Sequence, residues 1–84
     1  MNNRHRRTLD AVFAEPTSGT LAWADIEALL LAAGATLVEG RGSRVRFVCG
    51  AEVETFHRPH PAKEAKRYQV RAARDFLERI KVMP

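Results

Sequence analysis

Two histidines, two prolines and four cations lie within one short stretch of this chain, Phe56–Tyr68. Histidine can accept and release a proton near neutral pH, and Arg and Lys stabilise phosphate charge. His57 and His60 lie beside those cations, and Pro59 and Pro61 fix the backbone on both sides of His60. A stiff loop of this kind has the residue types that acid–base chemistry on a phosphodiester needs. Composition alone favours a solvated basic loop with incidental histidines.

The composition indicates one small folded domain that spans residues 1–84. The chain has 84 residues, 45% of them hydrophobic and 29% charged, which suits a globular protein with a single core. The net charge is +4 and the pI is about 10.0. A basic balance points towards nucleic acid, an anionic surface or an acidic protein partner, and it does not choose among them.

The single cysteine excludes an intramolecular disulfide, and no Cys/His set has the spacing of zinc ligands. We therefore expect no metal and no cofactor. No apolar run is long enough to span a membrane, and no signal-peptide core follows the basic N-terminus. These features predict a cytoplasmic protein with no membrane partner.

Apolar periodicity places the histidine loop between a strand and the final helix. In chain order it predicts helices at about 4–14 and 24–33, strands at about 35–39, 44–49 and 52–57, and a helix at about 69–81. Helices would cover one face of a three-stranded antiparallel sheet, an α+β fold whose other face is partly open. Residues 1–20 form an N-terminal helical extension with its loop, and residues 21–84 form the core of the domain.

Alternation in the second strand predicts which side chains reach the open face. Arg44 and Arg46 share that face, opposite the expected buried face of Val45, Phe47 and Cys49. The third strand does not show from its pattern which face is inward, because its apolar residues fall on both. Trp23 is expected to pack in the core near the start of the second helix.

Metal-independent RNA cleavage requires a base for the 2′-hydroxyl, an acid for the leaving 5′-oxygen and cations on the phosphate. His57 and His60 are the candidates for base and acid, and the pattern does not decide which is which. The end of the basic loop leads into the last helix, whose free N–H groups favour an anion. The candidate phosphate-binding residues are Arg44, Arg46, Arg58, Lys63, Lys66 and Arg67.

One combination of motifs resembles a known family. Gly42-Ser43 after a turn, a strand hairpin, the string from His60 to Glu64 and an amphipathic helix are similar to the HicA toxin–antitoxin ribonucleases. The resemblance covers about residues 25–82, and the string His57–Pro61 resembles a subgroup with a longer N-terminal extension. It implies a double-stranded-RNA-binding-domain-like fold and a small cytoplasmic toxin that cleaves mRNA without a metal. It also implies a partner, a HicB-like antitoxin that covers the active surface.

The chain departs from the family at one position. Most members carry Gly-Ser-His at the start of the second strand, and that histidine is the usual catalytic residue. This chain reads Gly42-Ser43-Arg44, so the role is not transferred. Two explanations stay open. One is a relocated histidine, with His60 ranked before His57, and the other is a weakened ribonuclease that still binds RNA or its antitoxin.

The leading hypothesis is therefore an mRNA endoribonuclease toxin that arrests translation and growth. A second hypothesis is a non-catalytic RNA-binding module that reads A-form shape through phosphate and 2′-hydroxyl contacts. A third is a protein-interaction domain whose basic face serves an acidic partner alone. RNA affinity without cleavage would select the second hypothesis, and absence of RNA affinity would select the third.

Overall fold

Three α-helices and one antiparallel sheet form the fold, and the computed structural model describes all 84 residues. The elements are α1 (Asn3–Phe13), α2 (Trp23–Ala32), β1 (Thr36–Glu39), β2 (Arg44–Cys49), β3 (Glu52–His57) and α3 (Arg67–Arg79). The predicted α+β class and element order are confirmed. None of the helices combines the length and the apolarity that crossing a membrane requires.

The boundaries of α3 differ from the predicted range by two residues at each end. The helix begins earlier because the side-chain Oε1 of Gln69 accepts from the backbone N–H of Lys66 at 3.0 Å, which satisfies one free donor of the first turn. It ends earlier because Lys81 has a φ of 66°, in the left-handed region.

The central strand of the sheet is β2, which pairs antiparallel with β1 on one side and with β3 on the other. Arg46 lies opposite Val38 of β1 and Thr55 of β3. Gly50 closes the tight β2–β3 hairpin with a φ of 60°, which suits glycine because it has no Cβ. The register places consecutive residues of β2 on alternate faces, as the sequence predicts.

One face of the sheet packs against the helices and forms the core. Val45 and Phe47 are fully buried and Cys49 is half-buried, so the predicted inward face of β2 is confirmed. Phe56 points inward and Val53 outward, which resolves the ambiguity of β3. The other buried apolar side chains are Leu9, Val12, Trp23, Ile26, Leu29, Leu30, Ala35, Ala65, Val70, Ala73, Phe76 and Leu77.

Three aromatic rings connect α2 to the sheet. The Trp23 and Phe56 ring centroids are 5.0 Å apart, and those of Phe47 and Phe56 are 5.9 Å apart with an edge-to-face geometry. Both separations lie in the range that aromatic pairs prefer. The expected packing role of Trp23 is therefore confirmed, and Phe56 is held on two sides.

The N-terminal helix is part of the core. Leu9 and Val12 of α1 are buried there. Arg74 of α3 donates to the carbonyl oxygens of Val12 at 3.0 Å and Ala14 at 3.1 Å, which satisfies free acceptors at the C-terminal end of α1. The extension is therefore fixed to both α3 and the core.

Side chains of α3 cover the outer edge of β3. Gln69 Nε2 donates to the carbonyl oxygen of His57 at 2.7 Å, and Arg79 Nη2 donates to that of Val53 at 3.3 Å. Exposed edges offer unpaired backbone groups to other strands, so these contacts protect this side of the sheet.

Candidate nucleic-acid interface

The open face of the sheet carries two arginines and a histidine at one end. Strand alternation and the register assign Thr36, Val38, Arg44, Arg46, Val48, Val53, Thr55 and His57 to this face. All of them are exposed except Val48, which is half-buried. The predicted display of Arg44 and Arg46 on the open face is confirmed, and the register adds His57 to them.

Arg44 and His57 are directly opposite each other in the sheet. The N–H of Arg58 donates to the carbonyl oxygen of Ser43 at 2.9 Å, so Ser43 and Arg58 form a hydrogen-bonded pair. Such pairs alternate with non-hydrogen-bonded ones, in which the Cα atoms are only about 4.5 Å apart. The Arg44–His57 pair is of this closer kind, which places an imidazole beside a guanidinium on the solvent face.

The backbone of His57 is fixed on both sides. Phe56 before it is buried between Trp23 and Phe47, and the carbonyl of His57 itself accepts from Gln69. A side chain that extends from so constrained a backbone loses less freedom when it engages a substrate.

Arg58, which follows His57, is bound by two carboxylates. Its Nε donates to Glu27 Oε2 at 2.7 Å and its Nη1 to Glu39 Oε1 at 3.0 Å. Its Nη2 donates to the second oxygen of each carboxylate, at 3.3 Å for Glu27 and 3.1 Å for Glu39. Hydrogen bonds from Glu27 first and Glu39 second raise the pKa of Arg58 above its ordinary value. The half-exposed guanidinium is therefore occupied by carboxylates of the same chain.

His60 lies at the tip of the basic loop. It is exposed and makes no hydrogen bond within the protein, and the His60–Pro61 peptide bond is cis. The loop is next fixed at Lys63, whose carbonyl accepts from Trp23 N–H at 2.9 Å, and at Ala65, whose N–H donates to the carbonyl of Leu21 at 2.8 Å. The tip extends between two anchored ends.

The remaining candidate cations divide into two groups. Lys63 and Lys66 are exposed near the start of α3 and make no ion pair. Arg67 is turned towards the α1–α2 connection, where its Nε donates to the carbonyl of Thr17 at 3.3 Å and its guanidinium lies against Gly19. The structure therefore brings Arg44, Arg46 and His57 together, and it directs Arg58 and Arg67 to other protein groups.

Three residues that organise this region have no counterpart in the sequence-based site. Glu27 and Glu39 bind Arg58, and Gln69 binds the His57 carbonyl. The carboxylates lie 31 and 19 residues from Arg58, so no local spacing indicates the contacts. The sequence does indicate a special role for Gln69, because it is a polar residue on the otherwise apolar buried face of α3.

The site is an open surface. Two surface clefts, of about 620 and 350 Å³, lie along α1, and neither is lined by His57 or His60. No group of three or more histidine, cysteine or acidic side chains is arranged to hold a metal ion. An exposed basic face of this kind suits a polymer that lies across it, since small molecules prefer concave sites.

Comparison with known proteins identifies the family. A family profile described as the HicA toxin of bacterial toxin–antitoxin matches residues 23–82. This match covers well over half of the chain, which therefore belongs to the HicA toxin family. No significant match was found among curated proteins or solved structures. The likeness to a double-stranded-RNA-binding domain stays a prediction.

Family membership makes this protein a toxin of a toxin–antitoxin system, and such a toxin has an antitoxin as its counterpart. The matched range begins at the first residue of α2, so α1 lies outside it.

Proposed function

We propose that this toxin is a metal-independent endoribonuclease that binds and cleaves mRNA in the cytoplasm, arrests translation and growth, and is neutralised by a HicB-like antitoxin. The observation that carries the proposal is the cross-strand pair of Arg44 and His57. Arg44 holds the position where most family members have their catalytic histidine. His57 places an imidazole directly opposite that position.

The proposed reaction is transesterification within the RNA strand. A neutral histidine removes the proton from a 2′-hydroxyl, whose oxygen attacks the adjacent phosphorus. The bond from phosphorus to the 5′-oxygen breaks, and a protonated histidine gives that oxygen a proton. The products are a 2′,3′-cyclic phosphate and a free 5′-hydroxyl. Arg44 stabilises the charge that develops on the phosphoryl oxygens, and it cannot act as base because a guanidinium stays protonated.

The geometry supports His57 more strongly than His60. His57 lies on the basic face with its backbone fixed, whereas His60 extends from the loop with no hydrogen bond. In the proposal His57 stands beside the phosphate held by Arg44. His60 acts as the second proton-transfer group, because the loop follows β3 directly and offers the nearest other imidazole in sequence.

The proposed substrate contacts are to phosphate and sugar. Arg46 lies next to Arg44 on the open face, and Lys63 and Lys66 are exposed on the loop that leads to α3. No Phe, Tyr or Trp side chain lies on the open face. Single-stranded RNA is commonly held by base stacking on aromatic side chains, whereas A-form RNA is read through its backbone and 2′-hydroxyls.

The second candidate function is RNA binding or antitoxin binding without cleavage. The replacement of the usual histidine by Arg44 favours it, because the family's catalytic group is absent from its own position. The same basic surface would then bind RNA or an acidic partner, and no proton transfer would follow.

Single-turnover cleavage of a defined RNA, with a chelator present, separates these functions. The parent protein is expected to release fragments with 2′,3′-cyclic phosphate ends. A parent that binds RNA but leaves it intact would establish the non-catalytic module. A parent with no RNA affinity would leave antitoxin binding as the function of the surface.

A further inference from the structure

We propose that Glu27 and Arg58 are positioning residues that hold the His57 end of β3 against α2 and β1. In this role Arg58 supports the histidine site through its contacts with Glu27 and Glu39 and does not bind phosphate. The proposal rests on the ribonuclease function proposed above, and its test includes a measurement that does not depend on cleavage.

Arg58 joins three parts of the chain at one guanidinium. It follows β3 directly, Glu27 belongs to α2, and Glu39 ends β1. The four hydrogen bonds, of 2.7 to 3.3 Å, engage both oxygens of each carboxylate. Glu27 is only 18% exposed and Arg58 35% exposed. Paired arginine–carboxylate contacts of this geometry fix direction as well as distance.

A second connection runs from Glu27 to the residue before His57. The indole N–H of Trp23 donates to Glu27 Oε2 at 2.6 Å, and the Trp23 ring packs on Phe56. Glu27 therefore contacts Arg58 directly and Phe56 through Trp23. These are the two chain neighbours of His57, so a shift of the Glu27 carboxylate would be transmitted to both sides of the histidine.

Local charge argues against phosphate binding by Arg58. One guanidinium and the two carboxylates of Glu27 and Glu39 give this cluster a net charge of −1. A phosphate that approached Arg58 would meet two anions at hydrogen-bond distance from it and would have to displace one of them. Arg44 and Arg46 have no such partners. The phosphate-binding and positioning roles therefore fall on different arginines.

Arg79 is a matched control for Arg58. It is 32% exposed and pairs with Glu52, Glu54 and Asp75 near the start of β3, whereas Arg58 lies beyond its end. Hydrogen bonding to Glu54 is the main cause that raises the pKa of Arg79. Arg79→Gln therefore breaks a comparable ion-pair cluster, but it leaves the surroundings of His57 untouched.

The test compares Arg58→Gln, Arg58→Lys and Glu27→Gln with the control in RNA binding and in single-turnover cleavage. A misplaced reacting group can lower a rate by about 100-fold, and a loss of 10- to 100-fold in the maximal rate is expected here. RNA affinity and its salt dependence in Arg58→Gln should equal those of Arg79→Gln, which loses the same single positive charge. Arg58→Lys should not restore the rate, because an ammonium cannot make paired contacts with two carboxylates. Arg79→Gln should cleave at close to the parental rate.

A measurement on the free protein keeps this proposal separate from the ribonuclease proposal. NMR signals of the His57 imidazole and amide exchange in residues 56–60 should change in Arg58→Gln and Glu27→Gln, and not in Arg79→Gln. Those changes would support positioning even if the parent cleaved no RNA. If Arg58→Gln does not fold by circular dichroism, the comparison rests on Glu27→Gln, which breaks the proposed contact and keeps the Arg58–Glu39 pair.

A direct contact between Arg58 and phosphate would give a different result. A phosphate contact predicts weaker RNA binding by Arg58→Gln, with the slope of log affinity against log salt reduced by about 1. If Arg58→Gln binds RNA more weakly than Arg79→Gln, and the His57 signals are unaltered in Glu27→Gln, Arg58 binds phosphate and the positioning role is wrong.

Discussion

If Arg44 and His57 act as proposed, His57 supplies from β3 the imidazole that position 44 of β2 lacks. The Cβ atoms of opposite residues are about 4.5–5.5 Å apart on one face. An imidazole on β3 therefore lies within one side-chain length of an imidazole that would extend from position 44 on β2. A ribonuclease site needs a proton acceptor near the phosphate, and the strand that supplies it matters less than the distance.

A double substitution tests this relation. His57→Ala is expected to lower single-turnover cleavage by about 100- to 10,000-fold, the usual contribution of a positioned acid or base. Arg44→His placed on the His57→Ala background returns an imidazole to the family's position and should recover part of the loss. No recovery in a folded double variant would contradict this exchange.

His60 is tested by a separate variant, because the sequence analysis ranks it before His57 as the catalytic histidine. His60→Ala should reduce the cleavage rate while circular dichroism and RNA affinity stay at the parental values, because the side chain has no hydrogen bond to lose. If His57→Ala and His60→Ala both cleave at the parental rate, the relocation of the catalytic histidine is refuted.

Arg44→Ala should weaken RNA binding and cleavage together. Arg44 is exposed and has no carboxylate partner, so its removal costs a phosphate contact and leaves no buried charge unpaired. The slope of log affinity against log salt should fall by about 1. Arg71→Ala, at an exposed position of α3, is the control for the loss of one positive charge. Equal losses in both variants would mean that overall charge, and not this position, governs binding.

At the scale of single elements, the first turn of α3 connects the helix to β3 through Gln69. Its amide donates to the His57 carbonyl and accepts from the Lys66 N–H, and it is only 3% exposed. Gln69→Leu leaves those backbone groups without a partner in a half-buried place. The free energy of unfolding in urea should fall by about 1–3 kcal/mol. Arg71→Leu, at an exposed position of the same helix, should change it by less than about 0.5 kcal/mol.

The elements themselves could be predicted from the sequence, because their residue patterns are regular. The bounds of β2 and β3 are those expected, and alternation alone assigned Val45 and Phe47 to the core. The inward face of β3 could not be assigned from the sequence, because that face holds two glutamates, Glu52 and Glu54. Their charges are balanced by Arg79 of α3, which is distant in sequence.

The site was only partly predictable, because several of its contacts join residues that are far apart in sequence. Arg44 and Arg46 could be placed on the open face from alternation. The pairing of Arg44 with His57 needed the register of two strands. The contact between Arg58 and Glu27 depends on how α2 packs against the sheet, and no local sequence pattern indicates that packing.

At the scale of the whole molecule, the proposed RNA binding should be mainly electrostatic, because the net charge is +4 and the open face is basic. If Arg44, Arg46, Lys63 and Lys66 each neutralise a phosphate, log affinity should fall against log salt with a slope of about −3. Filter binding of structured RNA at several salt concentrations measures the slope. A flat dependence would exclude the phosphate-contact arrangement proposed for this face.

The N-terminal extension should matter for stability even though it lies outside the family match. Leu9 of α1 is 6% exposed within the core. Leu9→Ala is expected to lower the free energy of unfolding by about 2–5 kcal/mol, as buried leucines do when truncated. Arg6→Ala, at an exposed position of α1, should be nearly neutral in the same urea titration. A neutral Leu9→Ala would mean that α1 contributes little to the folded core.

The arginine shared by two carboxylates has a consequence for how this protein can change over generations. Loss of Arg58 alone would leave Glu27 and Glu39 as neighbouring anions, and loss of either acid alone would leave the other contacts intact. Substitutions at these positions should therefore accumulate in a preferred order, with an acid replaced before the arginine. Among descendants of this chain, a neutral residue at position 58 should be found with neutral residues at 27 and 39, a joint variation between sites that are far apart in sequence.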